Sequence, residues 1–466
     1  MASSTSEETP LLQDVQKLHE QVYQRFSPAR KNAILVMVSL TGLMPPFVSG
    51  TFTPLIPQVS KDLNASAALV SLAVSIAIFA TSIGSMIGSC YSTLYGRRPI
   101  YLLGIPMLII ASFGVAASRT IHQLLFWRFF QAMGSSPGLT IGSAVIGDIY
   151  KLEERGAAMG IFFGALLLGL TLAPVAGGVV AHYSSWRTMQ QAVGVWGIGV
   201  FVYMYYAFPE TFHPGQRGVD KMDPGAHPKW RPVILNPLKP LWMLRSPNLL
   251  FVSTAAFTGI LADYVLQIPI AYTIGVKYGI TNEALIGACF IPAGVGNVLG
   301  AIYAGRLSDK MVIKWRAKRN GVWYAEDRLR VTIPGALYYV PLSNLMSGIF
   351  VTYVDGPVGL TLNLFCLFLN GFGVDVVLGP SAAYFVDSMH SRSAEAMAAY
   401  SGFRQVLTAL TVSLIIPMVE KYGVLATDTS SALLAWIGWL LLWITIQHGD
   451  RLRAVVDVGF STAADN

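Results

Sequence analysis

Charge is what this sequence has least of. Asp, Glu, Lys and Arg make up 12% of its 466 residues, about half the 25% usual in a water-soluble chain. Hydrophobic residues reach 53% and mean hydropathy is +0.54, so the solvent for most of the chain is lipid. Cysteine is scarce too. Cys90, Cys289 and Cys366 lie far apart inside apolar runs, which argues against a disulfide framework. No Gly-Lys-Ser/Thr phosphate loop occurs, so the chain is not an ATP-driven pump by its own sequence. "GVGNVLG" from Gly294 lies within an apolar run, where its glycines serve helix packing. His-Glu-x-x-His and Cys-x-x-Cys are both missing, so no metal or cofactor is expected. A membrane acyltransferase would need a His paired with an acid near a span end; His182 and His390 sit near span ends without such a pairing. A receptor would show seven spans and larger outer loops. The polar, acidic start "MASSTSEETPLLQ" has no basic segment followed by an apolar core, so it does not read as a cleavable signal peptide.

Twelve apolar runs are long enough to cross a bilayer, at about 32–56, 67–89, 99–118, 122–148, 155–180, 187–208, 249–275, 283–304, 331–353, 357–386, 393–419 and 431–448. Backbone groups in lipid must be satisfied within each segment, which makes these helices. The N-tail, every second loop and the C-tail hold 25 of the 32 basic residues, whereas the opposite loops hold Lys61, Arg119, Arg187, Lys277 and Lys421. Both termini are therefore expected in the cytosol. The same asymmetry accounts for the net charge of +7. Anionic lipid is partner enough for it, and no nucleic acid is needed.

The proline- and charge-rich stretch 209–248 divides the spans six and six. The expected organisation is a cytosolic tail (1–31), a six-helix bundle (32–208), the central loop (209–248), a second bundle (249–448, with a loop at 306–330) and a C-terminal tail (449–466). The halves echo each other. Asp148 ends the fourth span and precedes Arg155-Gly-Ala-Ala-Met; Asp387 ends the tenth and precedes Arg392-Ser-Ala-Glu-Ala-Met. Parallel six-span halves with a site at their interface are the plan of one large transporter class.

The fifth span, "GIFFGALLLGLTLAPVAGG" (Gly160 to Gly178), carries five glycines and a proline, each of which weakens a helix. Gly169, Ala173 and Gly177 lie four apart, a small-residue face that lets two backbones approach. Pro174 permits a bend. With Gly160 and Gly178 this stretch resembles the antiporter motif of the twelve-span drug:proton antiporters of fungi, within the major facilitator superfamily. Ala173 stands where that family usually has glycine. Further similar pieces are Tyr95-Gly96-Arg97-Arg98-Pro99 (with Thr93 in place of the usual acid), Gly305 to Lys310 (which keeps Asp309), Arg128 to Gly134, Pro209-Glu210-Thr211 and Ala325 to Arg330. The resemblance implies an all-α integral membrane fold of twelve helices in two pseudo-symmetric bundles. It also implies a monomer that exports a small molecule in exchange for protons. Import by proton symport on the same fold is the alternative.

Ionisable residues at bilayer depth are expensive and functional by default. Asp263 and Asp375 are the expected proton carriers. Asp263 has no basic residue in its own helix, and Asp375 lies among glycines. Arg128 joins them on the family resemblance. Polar mid-span residues (Gln131, Tyr264, Gln267, Asn297, Tyr338, Tyr339, Asn344, Asn363 and Asn370) are candidates for the cavity wall. Gly96, Arg97, Arg98, Asp148, Arg155, Asp309, Asp387, Arg392 and Arg404 read as a cytosolic charge lock, with Arg404 closing on Asp387. Mid-membrane acids beside aromatic residues favour an amphipathic, cationic substrate. The stretch Glu7 to Leu12 fits an acidic dileucine signal; the expected location is the plasma membrane, with a vacuolar membrane as the alternative.

Overall fold

A computed structural model of the chain describes residues 23–150, 152–213, 217–221, 236–320, 322, 324–389, 393–456 and 458–460, with backbone alone at 152–157, 221, 393 and 394. Glu7 to Leu12, Arg392 and the Arg155 side chain lie outside the described residues. Within them there are helices and no strand. The long helices are α1 Pro28–Gly50, α2 Ala67–Tyr95, α3 Arg97–Ala117, α4 Ile121–Ser135, α5 Pro137–Ile149, α6 Leu152–Tyr183, α7 Trp186–Ala207, α8 Pro247–Gln267, α9 Ile291–Lys318, α10 Val340–Tyr353, α11 Gly356–Ser388, α12 Ser393–Tyr422 and α13 Val424–Val455.

Nine helical stretches among the described residues are long and apolar enough to cross a bilayer. The other three expected crossings have local reasons to differ. The fourth is broken into α4 and α5 at Ser136, before Pro137. The sixth, α7, has its apolar stretch diluted by Arg187, Gln190, Gln191 and three tyrosines. The ninth runs through a wider π turn, Gly335–Tyr339, between Pro334 and Pro341 before α10 begins. Helix starts follow ordinary capping chemistry. Ser66, Thr120, Ser185 and Asn282 accept hydrogen bonds from backbone N–H groups at one end of the bundle. Pro28 and Pro247 open α1 and α8 at the other.

Packing repeats between the halves. In the first, α1 lies on α6, α2 on α4 and α3 on α7; in the second, α8 lies on α12, α9 on α11 and α10 on α13. The halves meet where α2 packs on α12, and where α6 packs on α9 and on the short helix Glu283–Ala288. The end carrying Arg25, the 209–213 loop and Phe460 is the terminal face; the end carrying Asn64, Ser184 and Gly423 is the far face. Toward the far face one buried apolar cluster crosses the seam, joining Leu261, Val265, Ile268, Val412 and Ile416 to the core of the first half. Toward the terminal face, the second half has a separate cluster drawn from its own residues. Gly160, Gly164 and Gly305 meet nothing within contact distance there. The molecule is thus sealed at the far face.

Candidate functional site

The first half holds a sealed polar network. Arg128 on α4 is 0% exposed. Its Nη1 donates to the Val48 carbonyl (3.2 Å) and to Gln131 Oε1 (2.9 Å), and its guanidinium lies 4.5 Å from the Phe52 ring centroid. Gln131 Nε2 donates to Ser112 Oγ and to Gln190 Oε1, both at 2.9 Å. Gln131, expected at the cavity wall, is instead enclosed in the first half with its amide fully used. Arg128 Nε and Nη2 are buried without partners, and no carboxylate among the described residues pairs with the guanidinium. Gln190 went unnoticed in the sequence because a glutamine near a span end looks like an interfacial residue.

The second half brings the two acids into one neighbourhood. Asp263 on α8 is 9% exposed, and Gln267, one turn further on, donates Nε2 to its Oδ1 at 2.5 Å. Asp263 has no basic residue in its own helix; an uncharged amide one turn away serves instead, because positions i and i+4 share a helix face. Asp375 on α11 is half-buried and hydrogen-bonds to no described residue. The two carboxylates lie within each other's field, and so does Arg404 with Asp375. This corrects the placement of Arg404. It lies over the Tyr400 ring (5.0 Å to the centroid), and among the described residues Arg328 donates to Asp387 Oδ2 at 2.7 Å. Arg404 and Asp387 lie on different helices, and α12 turns Arg404 toward α8 and α11.

Several proposed wall residues are used for packing. Asn344 is 0% exposed and ties three helices to its own. It donates to the Ala262 carbonyl (3.2 Å) and Ser431 Oγ (2.9 Å), and it accepts from Asn370 Nδ2 (2.8 Å). Asn370 also donates to Ser343 Oγ, and Asn363 to Tyr278 Oη and the Gly359 carbonyl. In this arrangement these asparagines tie helices together, as buried amides do, although Asn370 Oδ1 is buried without a partner. Tyr338 is 54% exposed and faces outward, also against expectation. Tyr339 packs edge-on against Phe372. Asn297 is buried with Oδ1 unpartnered, while Tyr264 and Gln267 stay beside Asp263.

Among the described residues, the expected charge lock forms two clusters, each built within one half. Arg97 Nε pairs with Asp148 Oδ2 at 3.0 Å in the first, and Arg328 pairs with Asp309 (3.1 Å) and Asp387 in the second. Gly96 needs no side chain at its φ of +104°, a region where L side chains are strained. Beside it the Glu210 carboxylate accepts from the backbone N–H of Arg97 (2.9 Å) and Arg98 (3.2 Å), capping α3, while Arg98 Nη2 donates to the Tyr205 carbonyl. Glu210 was legible only as part of a similar tripeptide. Its partners are more than a hundred residues away.

On α6 the small residues form two faces. A Cβ on Gly169 would come within 3.0 Å of the Leu43 carbonyl, Ala173 lies against Gly50, and Gly177 lies against the Thr51 backbone, so this face seats α1. Gly178 and the Pro174 carbonyl meet Gly287 of the other half, while the Pro174 ring lies against Gly50 of α1. Gly160 touches nothing. Asp428 was missed, because the twelfth span was expected to begin at 431. In fact α13 starts at Val424, leaving Asp428 2% exposed beside Gly348. A cluster on the terminal face was missed as well: Glu326, 5% exposed, accepts from Tyr384 Oη (3.2 Å) and pairs with Arg453 (3.1 Å).

Comparison with known proteins agrees with this architecture. The Major Facilitator Superfamily pattern matches residues 38–412. An MFS-type transporter, penM, of Penicillium rubens is 27% identical, covering 91% of this chain and 85% of that protein. The efflux pump radE of Floropilus chiversii is 25% identical over 92% of this chain and 82% of its own length. Citrate exporter 1 of Aspergillus niger is 30% identical over a shorter region, 44% of this chain and 39% of that protein. With an all-helical fold whose packing repeats between halves, and a family match over most of its length, this chain is a multi-pass membrane transporter belonging to the Major Facilitator Superfamily.

Proposed function

We propose that the protein exports an amphipathic small organic molecule in exchange for protons by alternating access. The observation that carries this reading is the pair Asp263 and Asp375, two membrane-depth carboxylates within each other's field, neither with a salt bridge among the described residues. A charged group entering or leaving beside such carboxylates changes how many protons they hold. That is the elementary act of exchange. Export is favoured over import by the small-residue faces of α6 and by relatives whose names are those of an efflux pump and an exporter. A cationic substrate, expected for acids alone, does not carry over unchanged, because Arg404 puts positive charge in the same neighbourhood.

Purified protein in liposomes holding a lumenal pH dye tests the coupling against a panel of drugs, alkaloids, polyamines and organic acids. Asp263→Asn or Asp375→Asn should abolish substrate-driven proton flux while substrate exchange without a gradient persists. If both variants move protons at the full rate, the reading fails. The distribution of basic residues supports cytosolic termini, and we place the protein in the plasma membrane. Imaging a tagged chain with and without Leu11 and Leu12 decides the role of the dileucine; identical patterns remove it.

A further inference from the structure

Arg404 has no salt-bridge partner among the described residues. It follows Gly402 by two residues on α12. The Gly402 carbonyl accepts from Ser82 Oγ of α2 at 3.3 Å, and Met86 of α2 packs against the same glycine. That turn of the helix therefore lies on the seam between the halves. Further along α12 toward the far face, Ala409 and then Val412 enter the apolar plug that closes it. Arg404, two residues on, points away from the Gly402 contact, since such positions face opposite sides of a helix, and its guanidinium lies over the Tyr400 ring one turn back.

The groups around it come from three helices. Tyr264 of α8 and Asp375 of α11 lie within its field, with Asp263 and Gln267 beside Tyr264. On α12, Tyr400 lies under the guanidinium, its Oη accepting a long hydrogen bond of 3.4 Å from Nη1. Gln405 Oε1 is buried without a donor, and Arg404 Nε is buried without an acceptor. No carboxylate among the described residues is within salt-bridge distance of Arg404. A guanidinium at membrane depth ordinarily faces a carboxylate or a backbone carbonyl, and its flat fork is matched by an oxoanion held through two parallel hydrogen bonds.

We propose that Arg404 is the docking point for an oxoanion group of the transported molecule, carboxylate or sulfonate, with the Tyr264 and Tyr400 rings flanking the adjoining apolar part. This rests on the reading of the protein as a transporter whose cavity lies at this seam. It narrows the substrate to amphipathic acids and zwitterions, with any cationic group of a zwitterion directed to Asp263 and Asp375.

The test is equilibrium dialysis on the full chain in lipid nanodiscs, with no gradient, against naphthoate, naphthalenesulfonate, naphthamide and naphthylmethylamine. These probes share a ring and differ in the head group. The unaltered protein should bind the two oxoanions at least about tenfold more tightly than the amide, as expected for hydrogen bonds to a charged group. Arg404→Gln should lose that preference, and Arg404→Lys should keep part of it. A single sharp size-exclusion peak for each variant excludes misfolding. The inference is overturned if neither oxoanion binds better than the amide, if the amine binds tightest, or if the preference survives in Arg404→Gln. Oxoanion binding that appears only in Asp375→Asn also overturns it, by showing that Arg404 and Asp375 neutralise each other internally. With no gradient applied, the result is independent of proton coupling, so either reading can fail while the other stands.

Discussion

Arg128 makes two hydrogen bonds and one aromatic contact, yet two of its nitrogens are buried without acceptors. A charge held so incompletely is a poor device for stability, and replacing buried charges by apolar residues of similar volume is often neutral or stabilising by about 1–4 kcal/mol. Arg128→Met is therefore expected to leave the melting temperature of the detergent-solubilised protein unchanged or raised, while substrate-driven proton flux is lost. A clear fall in melting temperature with flux intact would make Arg128 a structural anchor. The same residue scale shows what a linear reading misses. Asp263 draws its partner, Gln267, from its own helix, so the pair was visible in the sequence. Arg404 does not. Its direction depends on where α12 is turned relative to α8 and α11.

At the scale of one helix, α6 serves two contacts at once. The face of Gly169, Ala173 and Gly177 seats α1, and Gly178 with the Pro174 carbonyl meets Gly287 of the other half. The small-residue spacing announced a close approach, but the identity of the neighbour was not in it. Gly177→Val would push branched carbons into the Thr51 backbone, and overpacking of that kind costs about 1–3 kcal/mol. Gly160→Val should change stability by less than about 0.5 kcal/mol, as for an ordinary surface substitution. Thermal unfolding of the two variants checks the contrast, and equal losses would mean that the seat on α1 is not the cause. Glycine occurs at both positions in the same motif; only their surroundings differ.

The whole molecule is held shut at the far face by a broad apolar seam and a small polar latch. His182, which the sequence reading left without an acidic partner, is paired after all: its Nδ1 on α6 lies 3.3 Å from Glu283 Oε2 at the start of the other half's short helix, and Asn282 Nδ2 approaches its Nε2 at 3.4 Å. Both side chains of the pair are about one-third exposed, so it is worth no more than about 1 kcal/mol, a fivefold change in population. Glu283→Gln is expected to raise far-face opening by up to that factor, read from distances between spin labels on the two halves. An unchanged distribution would leave the apolar plug as the whole of the closure. On the terminal face, burial pushes the Glu326 carboxyl above its ordinary 4.5, against the pull of Arg453. A carboxyl raised by folding binds its proton more tightly in the folded state. Its contribution therefore falls as pH rises from the unfolded value through the folded one. Melting temperature should decline over that interval more steeply in the unaltered protein than in Glu326→Gln; parallel curves would show that Arg453 compensates fully.

Composition and spacing were enough for the class of protein, because lipid imposes its demand on every residue that meets it. Apolar runs must be helices, basic loops choose one side, and small residues four apart mark where backbones approach. The repeat was legible for the same reason, since Asp148 and Asp387 end corresponding spans in both halves. Which polar residues share a space was decided elsewhere. Asn344 and Asn370 resembled cavity residues in the sequence and tie helices together in the fold; Arg404 resembled a member of the charge lock and lies over Tyr400. The start of α13 moved Asp428 from a loop into the interior. In each case the outcome depends on how a helix is rotated against neighbours far away in the chain. That rotation is set by the packing of whole faces, which only the tertiary structure holds.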